Sequence, residues 1–305
     1  MKIGCHVLQW GIANDKETRH TWDGRVWNIS LDEIFAQMSS LNYEGFDCSD
    51  SDIVPYFSHP DEFVQMTAEN QLTYASSWVT LLPRASKTFS KEDQINPDWP
   101  MSDPRQFMPL AVSDINDEGI RNDLVDKIDF ARHFQSMGGQ IITLGGPFML
   151  HESIRPEYYR MVGEYMNDLA EEFQKLGIKC VFHPHLTTLA QNAEDIDRLY
   201  EYADKRLIGL LLDTAHLLAV GEDPAKIVRR YSNRIEHCHL KDLGKGKFLE
   251  LGEGDVNFPE VIHALVDVGY NGWLIAELDV PWKSAYESAK ANKEYMDRLV
   301  AGIAT

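Results

Sequence analysis

The sequence is short of positive charge. It carries 29 Lys and Arg residues against 48 Asp and Glu, which gives a formal net charge of −19 over 305 residues. An acidic surface repels the phosphate backbone of nucleic acids and the anionic faces of membranes. The composition therefore argues against nucleic-acid-binding and membrane-surface proteins, and we expect neither kind of partner.

Cysteines and long apolar runs are also scarce. No stretch approaches the roughly 18 consecutive apolar residues of a transmembrane helix, and the N-terminal segment turns polar too soon for a signal peptide. No two cysteines have the C-x-x-C spacing of zinc or redox motifs. Each of the four lies in or beside an apolar, strand-like run, namely Cys5, Cys48, Cys180 and Cys238. Reduced core thiols predict a cytoplasmic protein.

A glycine-rich phosphate-binding turn is missing as well, and its absence bears on the fold. Eight short β-type runs alternate with amphipathic helical patterns, which predicts an α/β protein with a single (β/α)8 TIM barrel over residues 1–305. The alternative, a doubly wound sheet, usually carries G-x-G-x-x-G after an early strand, whereas this chain has only "GGPF" at 145–148. The predicted strands are 2–10, 44–49, 72–81, 140–146, 178–185, 206–216, 234–242 and 272–279.

One segment interrupts this alternation. Residues 82–119, between the third strand and its helix, contain five prolines together with Trp99 and Phe107. A loop of this length in a compact domain is either functional or disordered. In a barrel it would lie on the catalytic face, where all strand-to-helix loops lie. We therefore expect this long insertion to form a lid or a subunit-contact arm.

The last four predicted strands all end in side chains that bind metals or move protons. Since the C-terminal ends of barrel strands meet at one rim, these side chains are expected to converge. Alternate residues of a strand face the same side, so the pairs His183/His185 and His237/His239 should each share a direction. The residues concerned are His183, His185, Asp213, His216, His237, His239, Lys241, Asp242, Glu277 and Asp279.

A mixed set of imidazoles and carboxylates suits Mn²⁺, Co²⁺, Fe²⁺ or Zn²⁺. One histidine at a strand end is usually structural, but four consecutive strands with such ends predict a metal site, because a core with nothing to bind would bury these groups at high cost. Two histidines keep a simpler interpretation open. His237 could hydrogen-bond within the barrel wall, and His6 could either line the pocket floor or pack against its neighbours.

Four segments carry a resemblance to a known family. They are "HPH" at 183–185, "LLLDTAHLLAVGEDP" at 210–224, "IEHCHLKD" at 235–242 and "LGEGDVNFPEVIHALVDVGYNGWLIAELD" at 251–279. They resemble the xylose isomerase-like TIM-barrel superfamily of sugar isomerases, epimerases and lyases, and within it the inosose dehydratase family. The similarity is dense over about residues 175–300, and "KIGCHVLQW" fits the first strand.

The resemblance implies one divalent metal ion, with Mn²⁺ or Co²⁺ expected first and Zn²⁺, Fe²⁺ or Mg²⁺ as alternatives. The family's ligand pattern falls on Asp213, His239 and Glu277. His183 stands where sugar epimerases usually have Glu. A histidine at this position resembles the pattern of the inosose dehydratase family. Because that Glu takes part in proton transfer in epimerases, its replacement favours a histidine-assisted elimination.

These observations predict a metal-dependent lyase, of the dehydratase type, that acts on a keto-sugar or keto-cyclitol by β-elimination. The alternative is a metal-dependent isomerase or epimerase of free keto-sugars. A non-catalytic sugar-binding barrel without metal is a weaker possibility. The expected partners are a small carbohydrate and, from the resemblance, further copies of the chain in a homo-oligomer. The expected catalytic residues are His185, His216 and Lys241, and the expected substrate contacts are His6, Glu253 and Trp282.

Overall fold

Eight parallel strands close into a barrel, which confirms the predicted fold. The computed structural model describes residues 1–21, 25–82, 115–149 and 153–302. The barrel closes because β1 pairs on one side with β2 and on the other with β8. The strands are β1 Lys2–His6, β2 Gly45–Ser49, β3 Thr73–Thr80, β4 Ile141–Gly145, β5 Lys179–His183, β6 Ile208–Asp213, β7 Ile235–Leu240 and β8 Trp273–Ala276.

Helices follow the strands and cover the outside of the barrel. Several begin at the caps that the sequence indicates. Ser30 and Glu33, for example, form a reciprocal capping box at the start of the first helix. Among the described residues, no helix is long and apolar enough to cross a membrane. The α-helices are Leu31–Ser40, Asp50–Ile53, Pro60–Glu69, Asp117–Ser136, Pro156–Lys175, Ala193–Tyr200, Thr214–Ala219, Pro224–Arg230, Phe258–Asp267 and Ala285–Ala301.

Most predicted strands are too long at their C-terminal ends, and three of them bear on the site. The first ends at His6, because the His6 ring accepts a hydrogen bond from the Leu8 N–H and Val7–Trp10 turns into a 3₁₀ helix. The sixth ends at Asp213, whose side chain caps the next helix. The fifth ends at His183, so the prediction that His185 shares the direction of His183 along one strand is wrong. His185 lies in the turn that follows.

Two small β elements on the strand-to-helix side have no counterpart among the predicted strands. A three-stranded antiparallel sheet follows β1, formed by Ile12–Ala13, Thr18–His20 and Val26–Asn28. The buried ion pair between Arg19 and Asp52, 2.7 Å long, ties this sheet to the segment after β2. A hairpin of Asp242–Gly244 and Lys247–Leu249 follows β7.

Most of the predicted lid or subunit-contact arm, residues 82–119, lies outside the described residues. Its two described ends are fixed against the barrel. The Leu82 N–H donates to Asp123 Oδ2 at 2.7 Å, and the same oxygen accepts from the Tyr165 hydroxyl at 2.7 Å. Ile115 is buried just before the helix Asp117–Ser136 begins. The role of this segment remains a prediction.

Apolar side chains inside the barrel lie directly beneath the polar ones. Ile141, Val181 and Leu211, from β4, β5 and β6, form one buried cluster. Because side chains alternate with a period of two along a strand, the next inward positions on β5 and β6 are His183 and Asp213. The strand pattern thus places polar groups above an apolar floor, at the C-terminal end of the barrel.

Candidate metal centre

The four predicted metal ligands lie together at the C-terminal end of the barrel. One atom from each side chain lies within 4.8 Å of the others, and all four side chains are buried. Each comes from a different strand or the residue after it, in the order β5, β6, β7 and β8: His183, Asp213, His239 and Glu277. The Nε2 atom of His183 is 3.4 Å from Oδ2 of Asp213.

In both carboxylates of the centre, Asp213 and Glu277, one oxygen accepts hydrogen bonds from the protein and the other faces the centre. Oδ1 of Asp213 accepts from the N–H groups of Ala215 and His216, both at 2.9 Å, and Oε1 of Glu277 accepts from Lys241 Nζ at 3.0 Å. Within the described part of the chain, the other oxygens, Asp213 Oδ2 and Glu277 Oε2, are buried without a hydrogen bond.

A buried carboxylate oxygen without a donor is costly unless a cation satisfies it. Nδ1 of His239 and Oε2 of Glu277 face each other in contact as an ion pair. Two imidazoles and two carboxylates are a suitable donor set for Zn²⁺, Mn²⁺, Co²⁺ or Fe²⁺. The residues present therefore fit one divalent ion.

The charges in the centre favour ionised carboxylates. Burial raises the pKa of Glu277, but Lys241 and His239 outweigh it and hold this pKa well below its usual value. For His239, burial lowers the pKa, and the carboxylates of Glu277 and Asp47 reverse this effect and raise it to about 10. A metal ion must therefore displace a proton from the centre when it binds.

Lys241 is a buried ammonium group at the edge of the centre. Its Nζ lies 2.7 Å from Asp279 Oδ2, 3.0 Å from Glu277 Oε1 and 3.4 Å from His216 Nε2. Burial lowers the pKa of Lys241, but Asp279 and Glu277 more than compensate and raise it. The pKa of Asp279 is raised to about 6, chiefly by burial, with Lys241 acting in the opposite direction. Lys241 is thus a charged hydrogen-bond donor at neutral pH.

His185 and His216 form a contacting pair of imidazoles beside the four ligands. Their ring centroids are 3.7 Å apart, and each ring is 5.5 Å from that of His183. Burial is the main cause that lowers the pKa of His185 to about 3, and it lowers the pKa of His216 well below its usual value. Both rings are neutral at pH 7, which is the form that accepts a proton.

Hydrogen bonds assign the tautomers of this pair. Nδ1 of His185 lies 2.7 Å from the carbonyl oxygen of Leu186. A carbonyl only accepts, so Nδ1 carries the hydrogen and Nε2 carries the lone pair. The ammonium of Lys241 only donates, so Nε2 of His216 is an acceptor and Nδ1 carries the hydrogen. The pair therefore offers one basic nitrogen and one N–H donor.

Aromatic side chains wall the centre, and sequence patterns did not indicate them. The Trp78 ring is 4.9 Å from that of His183, and the Phe148 ring is 5.3 Å from that of His185. The position of Trp78 requires glycine at 145, because a Cβ atom there would lie 1.9 Å from the indole. Phe248 contacts His216 at 5.2 Å from the other side. These rings pack around the imidazole pair.

The three predicted substrate contacts fall in different places. The buried ring of His6 is 5.6 Å from that of His239. Trp282 is half exposed, and its indole N–H donates to the carbonyl of Phe248 at 2.6 Å. Glu253 is exposed and pairs with Lys283 at 3.2 Å. The structure thus brings His6 to the centre, Trp282 to its aromatic wall and Glu253 to neither.

The structure adds Asp47, on β2, to the candidate site. Its Oδ2 lies 2.6 Å from Nε2 of His237 and 3.0 Å from Nε2 of His239. His237 therefore hydrogen-bonds inside the barrel, which was the simpler interpretation of that residue. A lone Asp between Phe46 and Cys48 in an apolar strand is the only sequence signal for this contact.

The family model for the xylose isomerase-like TIM barrel matches residues 35–299. The chain belongs to the xylose isomerase-like TIM-barrel family. A stretch of 148 residues is 39% identical to an inosose dehydratase of Geobacillus kaustophilus (strain HTA426), covering 42% of this chain and 48% of that protein. The chain therefore spans about half the length of the curated relatives it matches. The family predicted from the motifs is confirmed.

Several solved structures share the fold at low sequence identity. L-ribulose 3-epimerase matches with a TM-score of 0.74 and 15% identity, over 99% of this chain and 95% of that one. The IOLI protein with a binding zinc atom matches with a TM-score of 0.72 and 14% identity, over 99% of each chain. At such identities these matches show the barrel fold alone.

The low pKa of His185 makes the folded chain sensitive to acid. An unfolded His titrates near 6.5, whereas folded His185 has a pKa of about 3, so the unfolded state binds one more proton between these values. We expect the free energy of unfolding to fall by about 1.4 kcal/mol per pH unit for this one imidazole as the pH drops below 6.5. Urea unfolding of metal-free protein between pH 6.5 and 4.5 checks the slope. His185→Gln should make it shallower, and equal slopes would contradict the assignment.

Proposed function

We propose that this chain is a divalent-metal-dependent lyase that removes water from a keto-sugar or keto-cyclitol by β-elimination. The observation that carries the proposal is the position of the His185 and His216 pair directly beside the cluster of His183, Asp213, His239 and Glu277. The matched relatives named inosose dehydratase supply the substrate class, with 2-keto-myo-inositol as the first compound to test.

The four clustered side chains would hold one divalent ion, Mn²⁺ or Co²⁺ by preference and Zn²⁺ as the alternative. Zinc deserves a test because a structural neighbour, the IOLI protein, carries it. A bound ion supplies Lewis-acid stabilisation of negative charge on the substrate's carbonyl oxygen. The ionised carboxylates of Asp213 and Glu277 offset the positive charge of the ion.

His185 acts as the general base. Its Nδ1–H donates to the Leu186 carbonyl, which directs the lone pair of Nε2 away from that carbonyl. Nε2 takes the proton from the carbon next to the substrate's carbonyl group. Trp78 and Phe148 pack against this ring and keep it in place. General base catalysis of this kind contributes about 10²- to 10⁴-fold to the rate.

His216 donates a proton to the leaving hydroxyl. Its Nδ1 is buried and makes no hydrogen bond with the described residues, while its Nε2 faces the ammonium of Lys241 at 3.4 Å. Nδ1 gives its proton to the leaving oxygen as Lys241 supplies one to Nε2. One C–H and one C–O bond break, a C=C bond forms and water leaves, with the proton of the C–H bond on His185 and the proton of the departing water supplied from His216.

An isomerase or epimerase of keto-sugars is the second candidate. The fold match to L-ribulose 3-epimerase keeps it open, since the same centre could stabilise an enolate without loss of a hydroxyl group. His183 weighs against it, because a neutral imidazole replaces the carboxylate that a two-base epimerase would use on β5.

Product analysis separates the two reactions. Protein stripped with a chelator and reloaded with Mn²⁺, Co²⁺ or Zn²⁺ is incubated with 2-keto-myo-inositol and with a panel of keto-sugars. A product lighter by one water, formed only with metal, supports the lyase. A product of unchanged mass supports the isomerase, and the absence of turnover with every metal and substrate would contradict both. Oligomeric state and cellular location remain predictions.

A further inference from the structure

A hydrogen-bonded cluster crosses the barrel interior directly beside the metal centre. It consists of Asp47, His237 and His239, all of them buried. Asp47 lies on β2, whereas both histidines lie on β7, and these two strands are not neighbours in the barrel. The contact therefore joins two sides of the barrel through its centre, with Oδ2 of Asp47 as the shared acceptor.

The distances in this cluster fit hydrogen bonds and not a second metal ion. The 2.6 Å between Asp47 Oδ2 and His237 Nε2 is typical of a charge-assisted hydrogen bond. A second ion would also make the single ring of His239 bridge two cations.

His237 lies in an apolar layer of the barrel, where it needs a hydrogen-bond partner. In the register of β7 against β6, His237 pairs with Leu211 and His239 pairs with Asp213. His237 therefore occupies the apolar layer below the centre, where its neighbour on β6 packs with Ile141 and Val181. An imidazole buried in such a layer is costly without a partner. The Asp47 carboxylate is that partner.

Asp47 also decides which nitrogen of His239 faces the centre. A carboxylate only accepts, so Nε2 of His239 keeps its hydrogen, and Nδ1 is the nitrogen that gives up its proton and offers a lone pair when a metal ion binds. Nδ1 is the atom that faces Oε2 of Glu277. Carboxylates that accept from the outer nitrogen of a metal-binding histidine fix its tautomer and orientation and make it a stronger ligand.

We propose that Asp47 is the positioning residue of the metal centre: held by His237, it orients His239 and sets the affinity of the centre for its ion. The inference rests on the proposed function, because it takes His239 as a metal ligand. It adds to that function a carboxylate from β2, a strand not adjacent to β7, which binds no metal itself.

Metal affinity tests this proposal independently of activity. Asp47→Asn keeps the shape of the side chain and removes its charge. We expect the Kd for Co²⁺, measured by competition with a chromophoric chelator, to rise about 10- to 100-fold, and the Co²⁺ absorption band to shift. Asp52→Asn is the matched control. It removes a buried, ion-paired carboxylate that contacts Arg19 and not the centre, so Co²⁺ affinity should stay at the wild-type value.

The outcomes separate this inference from the proposed function. Wild-type protein that binds no Co²⁺ would refute the proposed function. Wild-type binding with an unchanged Kd in Asp47→Asn would overturn this inference alone. Two ions per chain, one of them lost in the variant, would overturn it as well, because Asp47 would then be a ligand. If Asp47→Asn does not fold, His237→Gln provides the test. This substitution should weaken Co²⁺ binding, because it removes the imidazole that holds the Asp47 carboxylate in place. Wild-type affinity for Co²⁺ in this variant would again refute the inference.

Discussion

Asp213→Asn should leave the protein folded, remove the metal and lower turnover by at least about 10³-fold. Oδ1 of Asp213 caps the helix Thr214–Ala219 by accepting from the N–H groups of Ala215 and His216. Asparagine keeps that acceptor and turns an uncharged NH₂ group toward the centre, where the wild-type protein has Oδ2. Loss of a Lewis acid worth about 4 kcal/mol corresponds to about 10³-fold in rate. Metal content and steady-state kinetics measure both effects.

The chain supplies a matched control for this substitution one helix later. Asp223 caps the helix Pro224–Arg230 in the same way, with its Oδ1 accepting from the N–H groups of Ala225 at 3.0 Å and Lys226 at 3.4 Å. Asp223→Ala should cost about 1 kcal/mol of stability as a lost cap and leave metal content and turnover unchanged. Asp213→Asn protein that keeps its metal and its rate would contradict the ligand assignment.

His185→Gln should keep the metal and lose turnover by about 10²- to 10⁴-fold, the contribution of a positioned general base. Gln preserves a donor for the Leu186 carbonyl, which His185 Nδ1 contacts at 2.7 Å, but it has no basic nitrogen. The decisive measurement is exchange of the substrate's α-hydrogen in D₂O, because exchange requires only the first proton transfer. We expect the variant to lose exchange and turnover together.

His263→Gln is the control for a histidine substitution as such, because His263 is exposed on the helix Phe258–Asp267. It should leave metal content, exchange and turnover unchanged. If His185→Gln retains wild-type exchange, His185 is not the base, and its low pKa then reflects burial alone. Loss of metal in the same variant would instead place the ring among the ligands.

Sequence patterns were sufficient for the barrel and for the convergence of the polar strand ends, for one physical reason. Parallel strands in a closed barrel bring their C-terminal ends to one rim, so polar groups at the ends of apolar runs become neighbours without any further information. His183, Asp213, His239 and Glu277 each follow such a run. The family resemblance then selected these four from the larger set of polar residues.

The sequence patterns could not predict turns or contacts across the barrel. His185 reaches the centre from a turn after β5, and the strand-direction argument for it is wrong although the residue lies in the site. Asp47 contacts His237, which lies 190 positions later in the sequence. A single acidic residue in a strand forms no spacing pattern from which such a partner could be predicted. The pattern of apolar residues also gives no indication of the three-stranded sheet after β1.

Glu253 shows how a loop motif misleads. The segment around it is held by the buried Asp242, which accepts hydrogen bonds from the N–H groups of Gly252 and Gly254 at 2.8 Å and of Val256 at 3.1 Å. This arrangement fixes the backbone of the loop and leaves the Glu253 side chain to pair with Lys283 at the surface. The acidic residue that organises the loop is thus Asp242, and substrate contact by Glu253 remains a prediction.

The most direct test of the central claim is an anomalous-scattering map of crystals grown with Mn²⁺. We predict one peak per chain, about 2.0–2.3 Å from one atom each of His183, Asp213, His239 and Glu277, with no second peak between Asp47 and His237. A map without a peak among these four residues, with Mn²⁺ bound elsewhere or not at all, would contradict the metal centre and the elimination mechanism that depends on it.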